Sequence, residues 1–269
     1  MIPLEDSFTD IIGKALRGLG LSPQALAQKT GVPVESVERL LSGTLDEDLL
    51  RRVAPTLGLN ATALIALARG EWRPAEVGPV PGLACLNTRF EDMTVNSYLV
   101  WDTTTKEAAA FDTGADCTEM LEAVRANDLV VQKIFLTHTH PDHIAALDRL
   151  KAETGASVYC PALEPVAGAI PVEEGFETTI GRLHVRTFLT NGHSPGGVTY
   201  YITGGPRRIA IVGDSIFAGS MGGGNISYAQ ALENNRTKIL TLPEDTILCP
   251  GHGPLTTVGE EKRHNPFFA

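Results

Sequence analysis

No run of about 18 apolar residues occurs in this 269-residue sequence, so it offers no candidate for a membrane-spanning helix. Cysteine is scarce. Cys85, Cys117, Cys160 and Cys249 stand far apart with no CxxC pair, which excludes a disulfide framework and a thiolate zinc knuckle and makes them small buried residues. Positive charge is also short. With 22 Lys+Arg against 32 Asp+Glu the net charge is -10, and no polybasic stretch is present, which disfavours general binding to nucleic acid or to anionic membranes. The first twenty residues hold neither a basic region nor the continuous apolar stretch of an export signal, so the expected compartment is the cytoplasm. What remains is 43% hydrophobic and 20% charged, enough for one full-sized core and a small second one.

Residues 1–72 read as helical, punctuated by Gly20, Gly31, Gly43, Gly58 and Gly70. Ser22-Pro23 supplies an N-cap and a first-turn proline, and the helix it opens stops at Gly31. From Pro33 to Leu41 the residues Val34, Val37, Leu40 and Leu41 recur at spacings of three and four, and helices follow over 46–57 and 61–68. Residues 73–82, RPAEVGPVPG, place three prolines and two glycines in ten positions and mark a linker. Residues 83–269 are β-rich. Strands are expected over 95–101, 108–111, 130–136, 158–160, 183–188, 198–202, 209–212 and 246–249, with helices over 118–126, 143–153 and 229–240. Strands alternating with only some helices imply an α/β domain with a mixed sheet system.

The placement of histidine carries the chemistry. Phe135-Leu-Thr-His138-Thr-His140-Pro-Asp142-His143 begins at the end of an apolar strand and runs into a helix, so four polar side chains share one turn. His138 and His140 alternate on extended backbone and face one point; Asp142 and His143, at the helix start, face a second point nearby. Imidazole and carboxylate without thiolate suit a catalytic divalent cation rather than a closed structural zinc. Two further histidines, His193 in Asn191-Gly-His-Ser-Pro-Gly-Gly and His252 in Pro250-Gly-His-Gly-Pro, sit in rigid Gly/Pro turns after strand-like runs, and Asp214 closes another strand. Asp112, in Asp-Thr-Gly, is a candidate to fix the tautomer of a ligand histidine. Tyr98, Tyr200, Tyr201 and Tyr228 are candidate cleft residues, and GSMGGG at 219–224 reads as a flexible loop near the metal mouth, without the Lys-Ser/Thr ending of a phosphate loop.

These motifs resemble the metallo-β-lactamase superfamily, whose HxHxDH signature is matched by His138, His140, Asp142 and His143. The resemblance covers about residues 83–269 and implies an αββα sandwich, here preceded by a small all-α bundle. It implies two divalent ions, zinc first with iron or manganese as alternatives: His138, His140 and His193 on one, Asp142, His143 and His252 on the other, Asp214 bridging, and Asp142 also orienting a metal-bridged hydroxide that attacks an acyl carbonyl. Asn96-Ser-Tyr-Leu-Val, Asp112-Thr-Gly, GHSPGG, GDSIFAGS and the ending from Gly259 to Phe268 resemble glyoxalase II-like hydrolases, which implies an acyl thioester or a related ester or lactone as the small-molecule substrate. Tyr98, Lys262 and Arg263 are the implied substrate contacts. Only 17 residues follow His252, so the helical extension that helps hold glutathione in that family is absent from the sequence.

Residues 8–69 resemble a phage-repressor-type helix-turn-helix through Leu21-Ser-Pro-Gln-Ala-Leu-Ala-Gln-Lys-Thr-Gly-Val and the helix after it. Such a helix reads bases with Gln, Asn, Arg or Lys. Here Glu35, Ser36, Glu38 and Arg39 occupy its exposed start, and the two glutamates would repel phosphates, so DNA binding is disfavoured. The expectation is self-association, as in a homodimer, or coverage of the metal cleft. Two other classes compete: a sulfur oxidoreductase resembling persulfide dioxygenases, with one iron held by two histidines and an aspartate, and a DNA-binding regulator with a metal-sensing domain.

Overall fold

Residues 2–269 are described by the computed structural model. Five helices come first: α1 Phe8–Leu19, α2 Pro23–Thr30, α3 Val34–Leu41, α4 Glu47–Val53 and α5 Ala61–Ala68. Their boundaries follow local chemistry. Ser7 and Asp10 form a reciprocal capping box on α1, Ser22 caps α2 ahead of Pro23, and Asp46 and Asn60 cap α4 and α5. Both α1 and α2 stop at a glycine in the left-handed region, Gly20 and Gly31. Glu35 and Glu38 stand exposed on α3.

The apolar faces of these helices do not close a core of their own. Ile11, Ile12, Leu16, Leu26, Leu50 and Leu64 pack in one cluster with Met221, Tyr228, Ala231 and Phe267 from the other end of the chain. Asn60 N–H donates to Pro266 O at 2.7 Å, and Trp72 Nε1 donates to Glu260 at 3.2 Å. The helical segment is therefore welded to the β-rich part through a shared core.

Two six-stranded sheets follow. The first is ordered β1 Leu83–Phe90, β2 Met93–Trp101, β3 Glu107–Phe111, β4 Val130–Phe135, β5 Ser157–Pro161, β6 Ile170–Val172. The second runs, in reverse sequence order, β12 Thr256–Thr257, β11 Ile247–Pro250, β10 Ile209–Gly213, β9 Val198–Thr203, β8 Leu183–Leu189, β7 Glu177–Ile180. Inward side chains of both sheets, among them Tyr98, Phe111, Phe135, Val185, Tyr200 and Ile211, form the central layer. Helices α6 Thr118–Ala126 and α8 Leu147–Thr154 cover the outer face of the first sheet; on the second lie Ile239 and Leu240, which follow α9 Tyr228–Asn234, and Val258 of α10 Val258–His264, while α9 itself packs on the amino-terminal helices. The architecture is an αββα sandwich, as the family resemblance implied.

The sequence pattern missed the four edge strands, β1, β6, β7 and β12; β1 is only partly buried, and the β1–β2 turn uses Glu91 at a positive φ of 52° where a glycine or asparagine would have signalled it. It also ran α8 together with the short α7 Pro141–Ile144, which are separated at Ala145–Ala146.

Candidate metal centre

One edge of the sandwich gathers the ends of five strands. β3 runs parallel to β4, β10 runs parallel to β11, and β8 points the same way as β10 because both are antiparallel to β9. The residues that follow them are Asp112 after β3, Thr137 to His143 after β4, His193 after β8, Asp214 after β10 and His252 after β11. After β4 the chain stays extended through His140 and turns into α7 at Pro141, whose fixed φ suits the first helical position. That switch separates His138 and His140 from Asp142 and His143.

The side chains form two contiguous groups: His138, His140, His193 and Asp214, and Asp142, His143 and His252. His138 Nε2 and His193 Nε2 lie 3.0 and 3.1 Å from His140 Nδ1. Asp214 joins the groups, with Oδ2 at 3.3 Å from His193 Nε2 and 3.4 Å from His252 Nε2, and Oδ1 at 3.4 Å from His143 Nε2. His252 Nε2 is also 3.3 Å from Asp142 Oδ2. His138, His143, His252, Asp142 and Asp214 are buried, while His140 and His193 are partly open to solvent.

Hydrogen bonds behind the rings decide which nitrogen faces inward. His143 Nδ1 donates to Asp112 Oδ2 at 2.8 Å, His193 Nδ1 to Gly223 O at 2.9 Å and His252 Nδ1 to Thr94 O at 2.7 Å. Thr137 Oγ1 donates to Asp112 Oδ2 and so accepts from His138 Nδ1 at 3.0 Å. Each of these four histidines therefore turns a bare Nε2 toward the two carboxylates. His143 Nε2 and Asp214 Oδ1 are buried without a hydrogen-bond partner among the described residues. A cage lined by acceptors is satisfied only by positive charge.

Protons on the rings answer the same need for positive charge. Burial works against ionisation of Asp214, yet His252 and His143 hold its carboxyl well below the usual range. Burial likewise works to discharge His143 and His252, but Asp214, joined by Asp112 and by Asp142 respectively, carries them up to about 10 and about 11. Burial lowers His138 and His193 instead. Backbone makes room for the cluster: a Cβ on Gly251 would lie 2.2 Å from Asp214 Oδ1, and one on Gly222 1.8 Å from Asp214 O.

The structure thus brings together His138, His140, Asp142, His143, His193, Asp214 and His252. It does not bring the other candidates to the cluster. Tyr98 is 1% exposed in the central layer, and its hydroxyl donates to Pro250 O at 2.6 Å, so it braces the strand before His252 instead of lining a cleft. Tyr200 is equally buried and donates to Leu136 O at 2.8 Å; Tyr228 packs on the amino-terminal helices and Tyr201 beside Phe188. Lys262 and Arg263 are exposed and pair with Glu244 at 3.0 and 3.3 Å, a consequence of facing outward on α10. The 219–224 loop is not an open flap: Gly219, Ser220, Met221 and Gly222 are buried against the helical segment. Two positioning groups were given no role by the sequence motifs. Asn96 Nδ2 ties Pro250 O and Gly253 O on either side of His252 at 2.9 and 2.8 Å. Glu164 accepts from Thr139 N–H at 2.7 Å and Gly196 N–H at 2.6 Å, joining the first metal-site loop to the turn after His193.

Residues 91–252 match the family described as Metallo-beta-lactamase superfamily. A protein of Bacillus subtilis (strain 168), "Probable metallo-hydrolase YqgX", is 31% identical over 74% of this chain and 97% of its own length. "Hydroxyacylglutathione hydrolase GloC" of Haemophilus influenzae is 28% identical over 64% of this chain and 92% of its own. Among solved structures, that of ETHE1 from Myxococcus xanthus superposes with a TM-score of 0.60 at 26% identity, covering 68% of this chain and 83% of that one.

Proposed function

Because the chain belongs to the metallo-beta-lactamase superfamily, we propose that it is a binuclear metallohydrolase of acyl thioesters or related esters and lactones, similar in activity to hydroxyacylglutathione hydrolases. The observation that carries this reading is the acceptor-lined cage: four imidazoles present bare nitrogens to two carboxylates, and Asp214 reaches both halves. His138, His140 and His193 would hold one divalent ion, Asp142, His143 and His252 the other, with Asp214 between them. Bound there, two such ions supply Lewis-acid activation of a water and polarisation of an acyl carbonyl. Zinc, iron and manganese all accept imidazole and carboxylate, so the donor set does not choose among them.

The chain's own contribution is alignment. Asp112 fixes His143 directly and His138 through Thr137, so one carboxylate sets two ligands. Asp142 faces His252 and His143 and, placed at the start of α7, is the group positioned to orient a water. No cysteine belongs to either group, so the reading calls on no thiol nucleophile. A thiolate leaving group also needs no separate acid, which favours thioesters.

The test is turnover of a panel of thioesters, lactones and β-lactams by protein of measured metal content, with His140→Ala as the control. Thioester turnover that scales with two metals per chain and collapses in the variant supports the reading. Full metal with no turnover overturns it. One iron per chain with oxygen uptake on a persulfide would replace it with the sulfur oxidoreductase.

A further inference from the structure

The chain before α1 lies against the metal centre. Glu5 N and Cβ stand 3.3 and 3.6 Å from where a Cβ on Gly253 would be, and Pro3 O is 3.7 Å from it, so residues 3–5 pack on the residue that follows His252. Asp6 is pinned beyond it: its carboxylate accepts from Ser220 Oγ at 2.5 Å and pairs with Lys14, and Lys14 Nζ donates to Met221 O at 2.8 Å. Lys14 also sits 5.0 Å from the centroid of Phe217, whose ring meets His252 edge-on at 5.6 Å. The arm is thus clamped between the 217–221 loop and the His252 turn, and α1 supplies the clamp.

Two neighbouring acids are treated differently by this arrangement. Lys14 neutralises Asp6, whereas Glu5 forms no ion pair among the described residues and is only half-buried. Its charge is felt in the centre: after the burial that raises its pKa, His252 is the strongest influence on it, followed by Asp6, Lys14 and Asp214. The cations that the sequence offered for an anionic thiol carrier, Lys262 and Arg263, are engaged with Glu244. The rim beside His252 therefore carries a carboxylate, contributed by the amino-terminal arm, that has no ion-pair partner among the described residues.

We propose that Glu5 is a specificity-determining residue of the metal cleft, favouring thiols that carry a positive charge over thiols that carry a negative one. This rests on the thioesterase reading only in assigning the thiol as the leaving group. Like charges set against each other across a contact suppress the wrong partner, and opposite charges steer the right one. The amino-terminal segment on this view builds one wall of the site, with α1 and Lys14 holding the arm in place.

The test is calorimetric binding of thiocholine and of 3-mercaptopropionate to the metal-loaded full chain, with metal content measured in each variant. The wild type should bind thiocholine more tightly. Glu5→Gln should shrink the ratio of the two affinities about ten-fold, Glu5→Lys should invert it, and added salt should compress the wild-type ratio. An unchanged ratio in both variants overturns the proposal, as does a loss of metal in Glu5→Gln, which would move the effect from ligand to ions. Acylated forms of the same two thiols then test the hydrolase reading separately. If neither is turned over while the binding ratio still shifts, the hydrolase reading fails and the Glu5 assignment stands.

Discussion

Asp112 and His143 are joined by a 2.8 Å hydrogen bond from Nδ1 to Oδ2, made by an aspartate held at a positive φ of 54° and wholly buried. Backbone strain of this kind persists only where its surroundings fix it, and here Thr137 N–H and Oγ1 both donate to the same carboxylate at 2.7 Å. An amide in place of the carboxylate keeps the shape but turns a donor toward one of three donors. Asp112→Asn should therefore lower metal affinity by about 10- to 100-fold. Metal titration against a competing chelator measures this, and wild-type affinity in the variant would contradict the role.

Gly251 stands between Asp214 and His143. Its missing side chain leaves the space in which those two ligands approach, since a Cβ would fall 2.2 Å from Asp214 Oδ1 and 2.6 Å from His143 Cε1. Gly251→Ala should displace Asp214 and lower turnover by about 100-fold, the cost expected of a shift of about 1 Å in a reacting geometry. The circular dichroism spectrum should be unchanged, because the residue lies at the end of β11 and not within it.

Chelation should lower the thermal midpoint of the protein, and zinc should restore it, because stripped metal leaves Asp214 Oδ1 and His143 Nε2 buried without partners. A midpoint indifferent to chelator would mean that the cage is neutralised by protons alone.

The legible part of this molecule is the part whose contacts are close in sequence. HxHxDH sits on one strand-to-helix turn, so spacing alone put His138 and His140 toward one point and Asp142 and His143 toward another. Asp112, which orients His143, was legible in its Asp-Thr-Gly turn, but the groups that orient His193 and His252 were not, for a physical reason: Gly223 O and Thr94 O are backbone carbonyls, carried by every residue type, and lie 30 and 158 positions from the histidines they bind. Tyr98 misled because strand alternation gives two faces without saying which is the core, and here its face is the closed one. The helices that Ser22 and Asn60 cap were read almost to the residue, whereas α10, capped by Thr257, and the seam between the helical segment and the sandwich were not; the cluster that joins Leu64 to Phe267 spans most of the chain.

Glu261 links α10 to the loop beside the metal centre. It is fully buried and accepts from Gly219 N–H at 2.9 Å, Thr256 Oγ1 at 2.7 Å and Asn265 Nδ2 at 2.8 Å. Burial outweighs these three donors and pushes its carboxyl up to about 7. The folded chain then holds this proton more tightly than the unfolded chain, whose glutamate titrates near its ordinary value of about 4.3. Stability contributed by the protonated form is complete below that value, declines as pH rises toward 7, and is gone above it. Urea denaturation from pH 4.5 to 8 should show the decline in the wild type and less of it in Glu261→Gln. Parallel curves would assign the pH dependence to other groups.

The seam itself can be tested at Gly18, where a Cβ would lie 2.2 Å from the ring of Tyr228. Tyr228 opens α9, directly after the glycines that pass Asp214 and His193, so a side chain pushed into its ring strains both the helical core and the metal loop. Overfilling a packed contact costs about 1–3 kcal/mol. Gly18→Val should therefore lower the midpoint of a single transition, with loss of helical signal and release of metal at the same temperature. A helical segment that folded independently would give a different result: the variant would lose helicity first and keep its metal until a second, unshifted transition. Coincidence of the two probes is expected because Met221, Tyr228 and Phe267 belong to the same apolar cluster as Ile11 and Leu64.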